Sequence, residues 1–386
     1  MFHTSYIEIN KPAFKANLRF LRRLAGSNVR FCSVVKGNAY GHGIEHFIPL
    51  AESCGVDYFG VHSAIEALRV CDIKKSGSHI MIMGMIEDEE LEWAVQNEVS
   101  FYVFEFERLE AAVRAAGRQK KRARIHVELE TGMNRIGFHW EERDKLSRML
   151  LDNREHLHVM GVSTHYAGAE SIANYLRIQN QIANYNRFQG YLKKKGVKTD
   201  MRHTACSAPM ISYPQTKMDM VRIGIAQYGF WPSKETHMQY LVSSANKKLT
   251  DNPLRQIISW KTKVMSIKKV AAGEFIGYGT VYQATGNMLV ATVPIGYSHG
   301  FSRNLSNLGK VLVRGRRVSV VGMVNMNMMI INITQCPDVQ RGDEVVLIGS
   351  QNKNRITVSS FSELINNVNY ESLVRLPKDI PRFIIE

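Results

Sequence analysis

A lysine amine attacks carbonyl carbons when burial or neighbouring cations lower its pKa. Lys36 stands in a run suited to that use, Ser33-Val34-Val35-Lys36-Gly37-Asn38-Ala39-Tyr40-Gly41-His42-Gly43, where an apolar stretch gives way to glycines. Further reactive types follow other apolar runs. Arg135 lies in Glu130-Thr131-Gly132-Met133-Asn134-Arg135-Ile136-Gly137, and a planar guanidinium matches a carboxylate with two parallel hydrogen bonds. His165 lies in Thr164-His165-Tyr166-Ala167, and Ser207 in His203-Thr204-Ala205-Cys206-Ser207-Ala208. Arg222 interrupts the apolar run Val221-Arg222-Ile223-Gly224-Ile225, and Tyr278 sits between glycines in Ile276-Gly277-Tyr278-Gly279-Thr280. Each taken alone has a plain structural use: a surface lysine, an ion-paired arginine, a packed histidine, an aromatic in a turn. Their repeated fall at the ends of apolar runs is what suggests a site.

From about residue 30 to 230, short apolar runs alternate with amphipathic stretches, as expected for parallel strands joined by crossover helices. Eight strands are expected: Phe31–Val35, Asp57–Val61, His79–Met83, Ser100–Phe104, Arg124–Glu130, His158–Thr164, Asp200–Thr204 and Met220–Ile225. Helical spacing lies between them, as in Ala64–Val70, Leu109–Val113 and Ser171–Lys195. Eight such units predict a TIM (β/α)8 barrel over residues 1–240, whose chemistry belongs at the C-terminal ends of the strands, with a phosphate often held after the seventh and eighth. Lys36, Arg135, His165 and Ser207 all occupy such ends. A polar segment, Asn246–Pro253, then precedes strand-like runs at Ile257–Ile267, Asn287–Val293, Lys310–Val313, Val318–Val321, Met328–Ile333 and Glu344–Ile348. Residues 241–386 therefore form a smaller, mainly β domain, with residues 1–12 a candidate to pair with it.

The Lys36 run, with Tyr40-Gly41-His42-Gly43 four residues on, resembles the lysine motif of the alanine racemase family of pyridoxal-phosphate (PLP) enzymes, and the likeness extends over nearly the whole chain. The resemblance implies that Lys36 is the Schiff-base lysine and that Tyr40, Ser207, Gly224 and Ile225 meet the phosphate. It places His165 against the cofactor ring and Arg222 opposite the pyridine nitrogen, where a group that does not give up its proton leaves that nitrogen largely unprotonated. Arg135 and the Met326 amide, in Gly322-Met323-Val324-Asn325-Met326-Asn327-Met328, would bind the substrate carboxylate. Tyr297, with Arg303, belongs to the substrate entrance. Tyr278, from the other subunit of a homodimer, would be the second base beside Lys36, because moving a proton from one face of Cα to the other needs two groups on opposite sides. A tyrosine with an ordinary pKa near 10 is a poor base, so His165 and Arg222 are expected to form the cationic network that favours its phenolate.

The chain departs from the family pattern at several positions. Glu128 stands where the family often has a carbamate-modified lysine, and is expected to supply the anion that orients Arg135. Asn327 replaces a usual aspartate, Asn325 a usual serine or cysteine, His299 an aspartate, and Lys378 a tyrosine that commonly approaches the phosphate. These changes border the substrate pocket. Alanine, for cell-wall synthesis, is the expected substrate, with a broader racemase acting on serine, lysine or arginine as the alternative. A decarboxylase of the same fold and a non-catalytic PLP-binding protein are further alternatives.

Composition narrows the classes. Five scattered cysteines without a CxxC pair suggest neither a disulfide framework nor a zinc site, and no metal is expected. No run reaches the length of a membrane span and no secretory signal opens the chain, so a cytoplasmic protein is expected. The formal net charge is +15, but the basic residues are dispersed and the densest group, Arg118–Arg124, reads as a solvated helix end. A field that attracts anionic cofactors and amino acids is expected in place of a nucleic-acid partner.

Overall fold

The computed structural model describes residues 3–243, 252–362, 364 and 369–386. The polar segment Asn246–Pro253 thus lies outside the described residues except for Asn252 and Pro253. The chain divides into two compact units: Pro12–Gly37 with Phe47–Gln256, and Met1–Lys11 with Asn38–His46 and Ile257–Glu386.

The first strand, β1 (Ser5–Asn10), belongs to the second unit. The first unit is the barrel. Its strands are β2 (Arg30–Val34), β3 (Tyr58–Val61), β4 (His79–Ile82), β5 (Ser100–Val103), β6 (Ala123–Glu128), β7 (Leu157–Ser163), β8 (Met201–His203) and β9 (Met220–Ile223). They form one parallel sheet in the order β8-β7-β6-β5-β4-β3-β2-β9. The remaining seam is closed by Asp219 N donating to Arg202 O (3.1 Å) and Arg222 N to Ala205 O (2.9 Å). All eight expected strands are present, each with shorter or slightly shifted bounds.

The helices bury their apolar stripes on the outside of this barrel. Phe14 of helix Lys11–Ala25 meets Phe47 at 5.0 Å between ring centroids, and Phe47 meets Tyr228 at 4.9 Å. Burying one such ring stabilises by about 1.5–3 kcal/mol. Inside the barrel the filling is different. Where such barrels usually pack branched aliphatics, inner positions here carry Tyr58, Tyr102, His126, His203 and Arg222, all buried.

The β unit forms one sheet. Its further strands are β10 (Ile258–Lys263), β11 (Ser266–Val270), β12 (Met288–Val293), β13 (Lys310–Val313), β14 (Arg316–Val321), β15 (Met329–Asn332), β16 (Glu344–Gln351), β17 (Asn354–Ile356) and β18 (Arg382–Ile385). The path runs β11-β12-β15-β14-β13-β16-β10-β1-β18, with β17 beside β16. β1 pairs antiparallel with β10 and parallel with β18. The single strand expected over Ile257–Ile267 is two, because the chain changes partner: Val264 N donates to Asp343 O (2.9 Å) and the next residue, Met265, to Thr292 O (2.8 Å).

The units differ in extent from a division at residue 240. The segment after Gln227 stays with the barrel because Asn17, fully buried, donates to Gln227 O (3.1 Å) and Arg255 O (2.8 Å) and accepts from Arg255 N (2.8 Å). Residues 38–46 go with the β unit, where Gly41 packs so closely that a Cβ would stand 1.9 Å from Leu373 O. Replacing Asn17 by leucine orphans three backbone groups, one buried and two part-buried, and should cost about 2–4 kcal/mol; urea unfolding of purified Asn17→Leu beside the unsubstituted protein measures it, and equal midpoints would contradict this account.

Candidate active site

In the barrel unit the site grows out of one buried charge. Arg222 of β9 donates through Nη1 to Tyr102 OH (2.8 Å), His203 Nδ1 (2.9 Å) and His203 O (3.0 Å), and through Nη2 to Thr164 O (2.7 Å) and Thr204 O (3.0 Å). Tyr102 is on β5, across the sheet from β9, so these bonds span the barrel interior.

A guanidinium only donates, and this sets the direction of everything bonded to it. His203 Nδ1 must accept, so its proton is on Nε2 and goes to His126 Nδ1 at 2.8 Å. His126 then carries its proton on Nε2, 3.1 Å from Tyr58 OH. The chain therefore runs one way, from the guanidinium to Tyr58. It passes β7 at Gly161, where a Cβ would stand 2.5 Å from His126 Nδ1 and 2.7 Å from His203 Nε2. Burial, and then the Arg222 charge, holds His126 down to about 3. Burial, His126 and Arg222 hold His203 well below the usual imidazole range. Both rings are neutral.

These bonds commit both Nη atoms and leave Nε–H without an acceptor among the described residues. A donor-only group so placed fits a ring-nitrogen acceptor. The Ser207 hydroxyl accepts from Gly224 N (3.2 Å), which joins the end of β8 to the end of β9 and leaves the hydroxyl proton available. Its surroundings suit an oxyanion.

Lys36 follows β2. Its surface is open to solvent, yet protein atoms crowd the amine enough that desolvation lowers its pKa, helped by Arg135 and Arg222 and opposed by Cys206 and Glu66. Such an amine fits an aldehyde. His165, beyond the end of β7, is half-buried and held down to about 3 by burial and then by Arg222, Arg135 and Lys36. The sequence led to the expectation that His165 shares in a cationic network; instead, burial and then the cations around it favour a neutral ring.

Arg135 reaches this group from the loop after β6. Glu130 builds the loop: Oε1 accepts from Gly132 N and Met133 N (2.7 Å), and Oε2 from Asn134 N (2.8 Å) and Arg135 N (3.4 Å). The Arg135 side chain is exposed and has no hydrogen bond or ion pair among the described residues. Glu128 is not ion-paired to it. Its buried carboxylate accepts from Ser163 Oγ, and its pKa is raised by burial against the pull of Arg222, Ser163 and Arg135. The Arg135 charge thus reaches Glu128 only through space, while Glu130 fixes the Arg135 backbone.

The β unit gathers the other expected residues. Tyr278, at the tip of a hairpin closed by Ile276 N to Tyr282 O (2.9 Å), has φ +81° and +70° at its flanking glycines and is 71 % exposed. It lines a pocket of about 390 Å³ with Tyr297, Arg303, Met326 and Asn327. Met326 stands on a turn held by Tyr297 N to Asn325 O and Ser298 N to Met326 O (both 3.0 Å), and its own N–H has no acceptor among the described residues. Arg382 ties two further candidates together: Nη2 donates to Gly41 O (2.9 Å), beside Tyr40, and Nη1 to Lys378 O (3.0 Å). Lys378 is exposed, and Tyr40 packs on Tyr370 at 5.9 Å.

Among the described residues no cluster of metal-ligating side chains occurs and no helix is long and apolar enough to cross a membrane. The five cysteines are free thiols. Tyr58, Tyr102 and His126 were missed as site residues by sequence reasoning; the available signal was polar types at alternate positions of strands otherwise apolar.

A barrel with a low-pKa amine and an uncommitted guanidinium at its strand ends, joined to a β unit, defines an amine-bearing enzyme for small carboxylates. The chain matches the family models for the alanine racemase N-terminal domain over residues 9–232 and C-terminal domain over residues 257–384. It is 33 % identical over 385 residues to the alanine racemase of Leptospira interrogans, covering 100 % of this chain and 96 % of that one. A solved alanine racemase from a D-cycloserine-producing Streptomyces lavendulae superposes with a TM-score of 0.90 at 27 % identity, covering 100 % of this chain and 98 % of the other. That of Bartonella henselae, with covalently bound pyridoxal phosphate, gives 0.85 at 24 % identity, over 100 % of each chain. The chain belongs to the alanine racemase family, whose members are PLP-dependent, and is a racemase.

Two measurements check this site. Glu128→Gln removes the buried anion near Arg135 and should raise KM about tenfold with a smaller change in kcat; an unchanged KM would remove Glu128 from substrate binding. The second concerns pH. His126, His165 and His203 have folded pKa values below the unfolded value near 6.5. The unfolded chain thus binds more protons between the two values, and stability falls as pH drops below about 6.5 toward about 3. Urea midpoints at about pH 7 and about pH 5.5 should show the lower value at the acid end; equal midpoints would mean that the imidazoles are not held neutral.

Proposed function

We propose that the protein is a cytoplasmic, PLP-dependent alanine racemase that works as a homodimer with shared active sites. The observation that carries this reading is the lowered pKa of the Lys36 amine beside the uncommitted Arg135 guanidinium. When bound, PLP supplies an electrophilic carbonyl and an electron-withdrawing ring that acidifies the Cα–H of the amino acid. Lys36 Nζ would hold it covalently. Ser207, Gly224, Ile225, Tyr40 and Lys378 would hold its phosphate, and Arg222 Nε–H would face its ring nitrogen.

The residues of the chain then divide the work. Arg135 takes the substrate carboxylate and sets the direction of Cα–H; the Met326 amide, which the family likeness assigns to the same carboxylate, lines the pocket that holds Tyr278. Lys36 Nζ takes or returns the proton on one face, and Tyr278 of the partner subunit does so on the other. The high exposure of Tyr278 at a hairpin tip supports a role outside its own subunit. Arg222 keeps its proton, so the electron sink stays weak, which favours prompt reprotonation over side reactions. Tyr297 and Asn327 line the same pocket as Tyr278, and the family likeness would put Tyr297 at the substrate entrance.

The test is direct. Protein supplied with PLP is incubated with the L- and D-forms of alanine, serine, lysine and arginine, and enantiomers are separated by chiral chromatography. Alanine should be interconverted fastest, and Tyr278→Phe should lower the rate about 10²- to 10⁴-fold. No interconversion of any of the four would overturn the reading; a faster rate with another amino acid would reassign the substrate.

A further inference from the structure

The backbone after Lys36 is unusual. Gly37, Asn38, Ala39 and Tyr40 have φ of +63°, +56°, +53° and +51°, one turn of left-handed helix. For residues with a side chain this conformation costs about 1–2 kcal/mol each, so the turn persists only where its surroundings over-determine it. In the β unit they do. Asn38 Oδ1 accepts from Ile44 N (3.2 Å), Gly43 N donates to Asn38 O (2.9 Å), and His42 Nδ1 lies 2.9 Å from Ala39 O and 3.0 Å from Tyr40 O.

The first segment of the barrel unit ends at Gly37. There the side-chain hold is one carboxylate: Glu66 Oε1 accepts from Gly37 N at 2.7 Å, and Oε2 from His62 N at 3.0 Å. The ends of β2 and β3 are thereby braced to each other one residue beyond Lys36. Glu66 stands in the first turn of helix Ala64–Cys71, where the helix dipole favours an anion. The groups that act electrostatically on the Lys36 amine are Arg135, Arg222, Cys206 and Glu66. His165, which feels the Lys36 charge in turn, is neutral. Glu66 is the carboxylate in this set.

We propose that Glu66 is a positioning residue for the reacting amine: its carboxylate fixes the peptide that follows Lys36 at the mouth of the barrel and is the anionic counterweight to Arg135 and Arg222. The catalytic part of this assignment rests on Lys36 being the reacting amine; the electrostatic part does not. With the negative charge removed, the ammonium loses its stabilising neighbour and gives up its proton at lower pH. With the brace removed, the amine keeps its chemistry but loses its aim.

The experiment reads both. In cofactor-free protein, acetylation of Lys36 by acetic anhydride is followed across about pH 6–10 by peptide mass spectrometry, which yields the midpoint of its titration. Glu66→Gln should move that midpoint down by about half a unit or more, with a melting temperature close to that of the unsubstituted protein. Glu66→Asp keeps the charge on a shorter arm and should leave the midpoint nearly in place. In PLP-loaded protein, Glu66→Gln should lower kcat/KM for alanine about tenfold, mainly through kcat. A Glu66→Gln midpoint that coincides with the unsubstituted one, or a Glu66→Asp midpoint displaced as far as the glutamine variant's, would overturn the proposal. A shifted midpoint in a protein that racemises nothing would uphold Glu66 as the neighbour of Lys36 and overturn the racemase reading instead.

Discussion

The buried guanidinium of Arg222 is the constraint from which the barrel's interior follows. A charge removed from water survives only if its donors are met, and here the two Nη atoms are met by three carbonyls at the ends of β7 and β8, a tyrosine and an imidazole. Because the guanidinium cannot accept, every later bond in the chain through His203, His126 and Tyr58 has its proton assigned. Gly161 is then explained as the place where two rings meet across a strand, since any side chain there would occupy their hydrogen bond. The cost of an apolar barrel filling is accepted so that one cation is held still with a single N–H to spare.

Positioning of the reactive groups relies on a second device, carboxylates that collect backbone N–H groups. Glu130 gathers four successive amides and so shapes the loop that carries Arg135. Glu66 takes one amide from each of two neighbouring strand ends. In both cases the carboxylate oxygens bond the main chain, leaving the adjacent side chain, Arg135 or Lys36, to meet a ligand. Charge-assisted bonds to amides are stronger than neutral ones, which suits loops that must hold a geometry at the edge of solvent.

The differences from the family pattern acquire a location. Glu128 lies buried under Ser163 and not against Arg135, so its influence is electrostatic and depends on its ionisation. Asn327 lies on the rim of the pocket around Tyr278. Lys378 is carried on a segment whose carbonyls are tied down by Arg382.

The sequence by itself determined the eight-strand barrel, the β unit that follows it and the positions of Lys36, Arg135, His165 and Ser207 at strand ends. These follow from periodicity, which is local: apolar residues at alternate or helical spacing select strand or helix and leave the reactive residue at the boundary. The partner change at Val264–Met265, the assignment of residues 38–46 to the β unit and the short strand β17 depended on contacts far along the chain, and local patterns do not encode them. The interior relay was decided by tertiary structure for the same reason. His126 is an ordinary strand residue until barrel closure sets it beside His203, and His165 is a plausible cation until folding surrounds it with Arg222, Arg135 and Lys36. Residue type and spacing could announce an amine, a guanidinium and an imidazole. Which of them holds its proton depends on the charges that folding brings near, because electrostatic energy is a function of distance in space and not of separation in sequence.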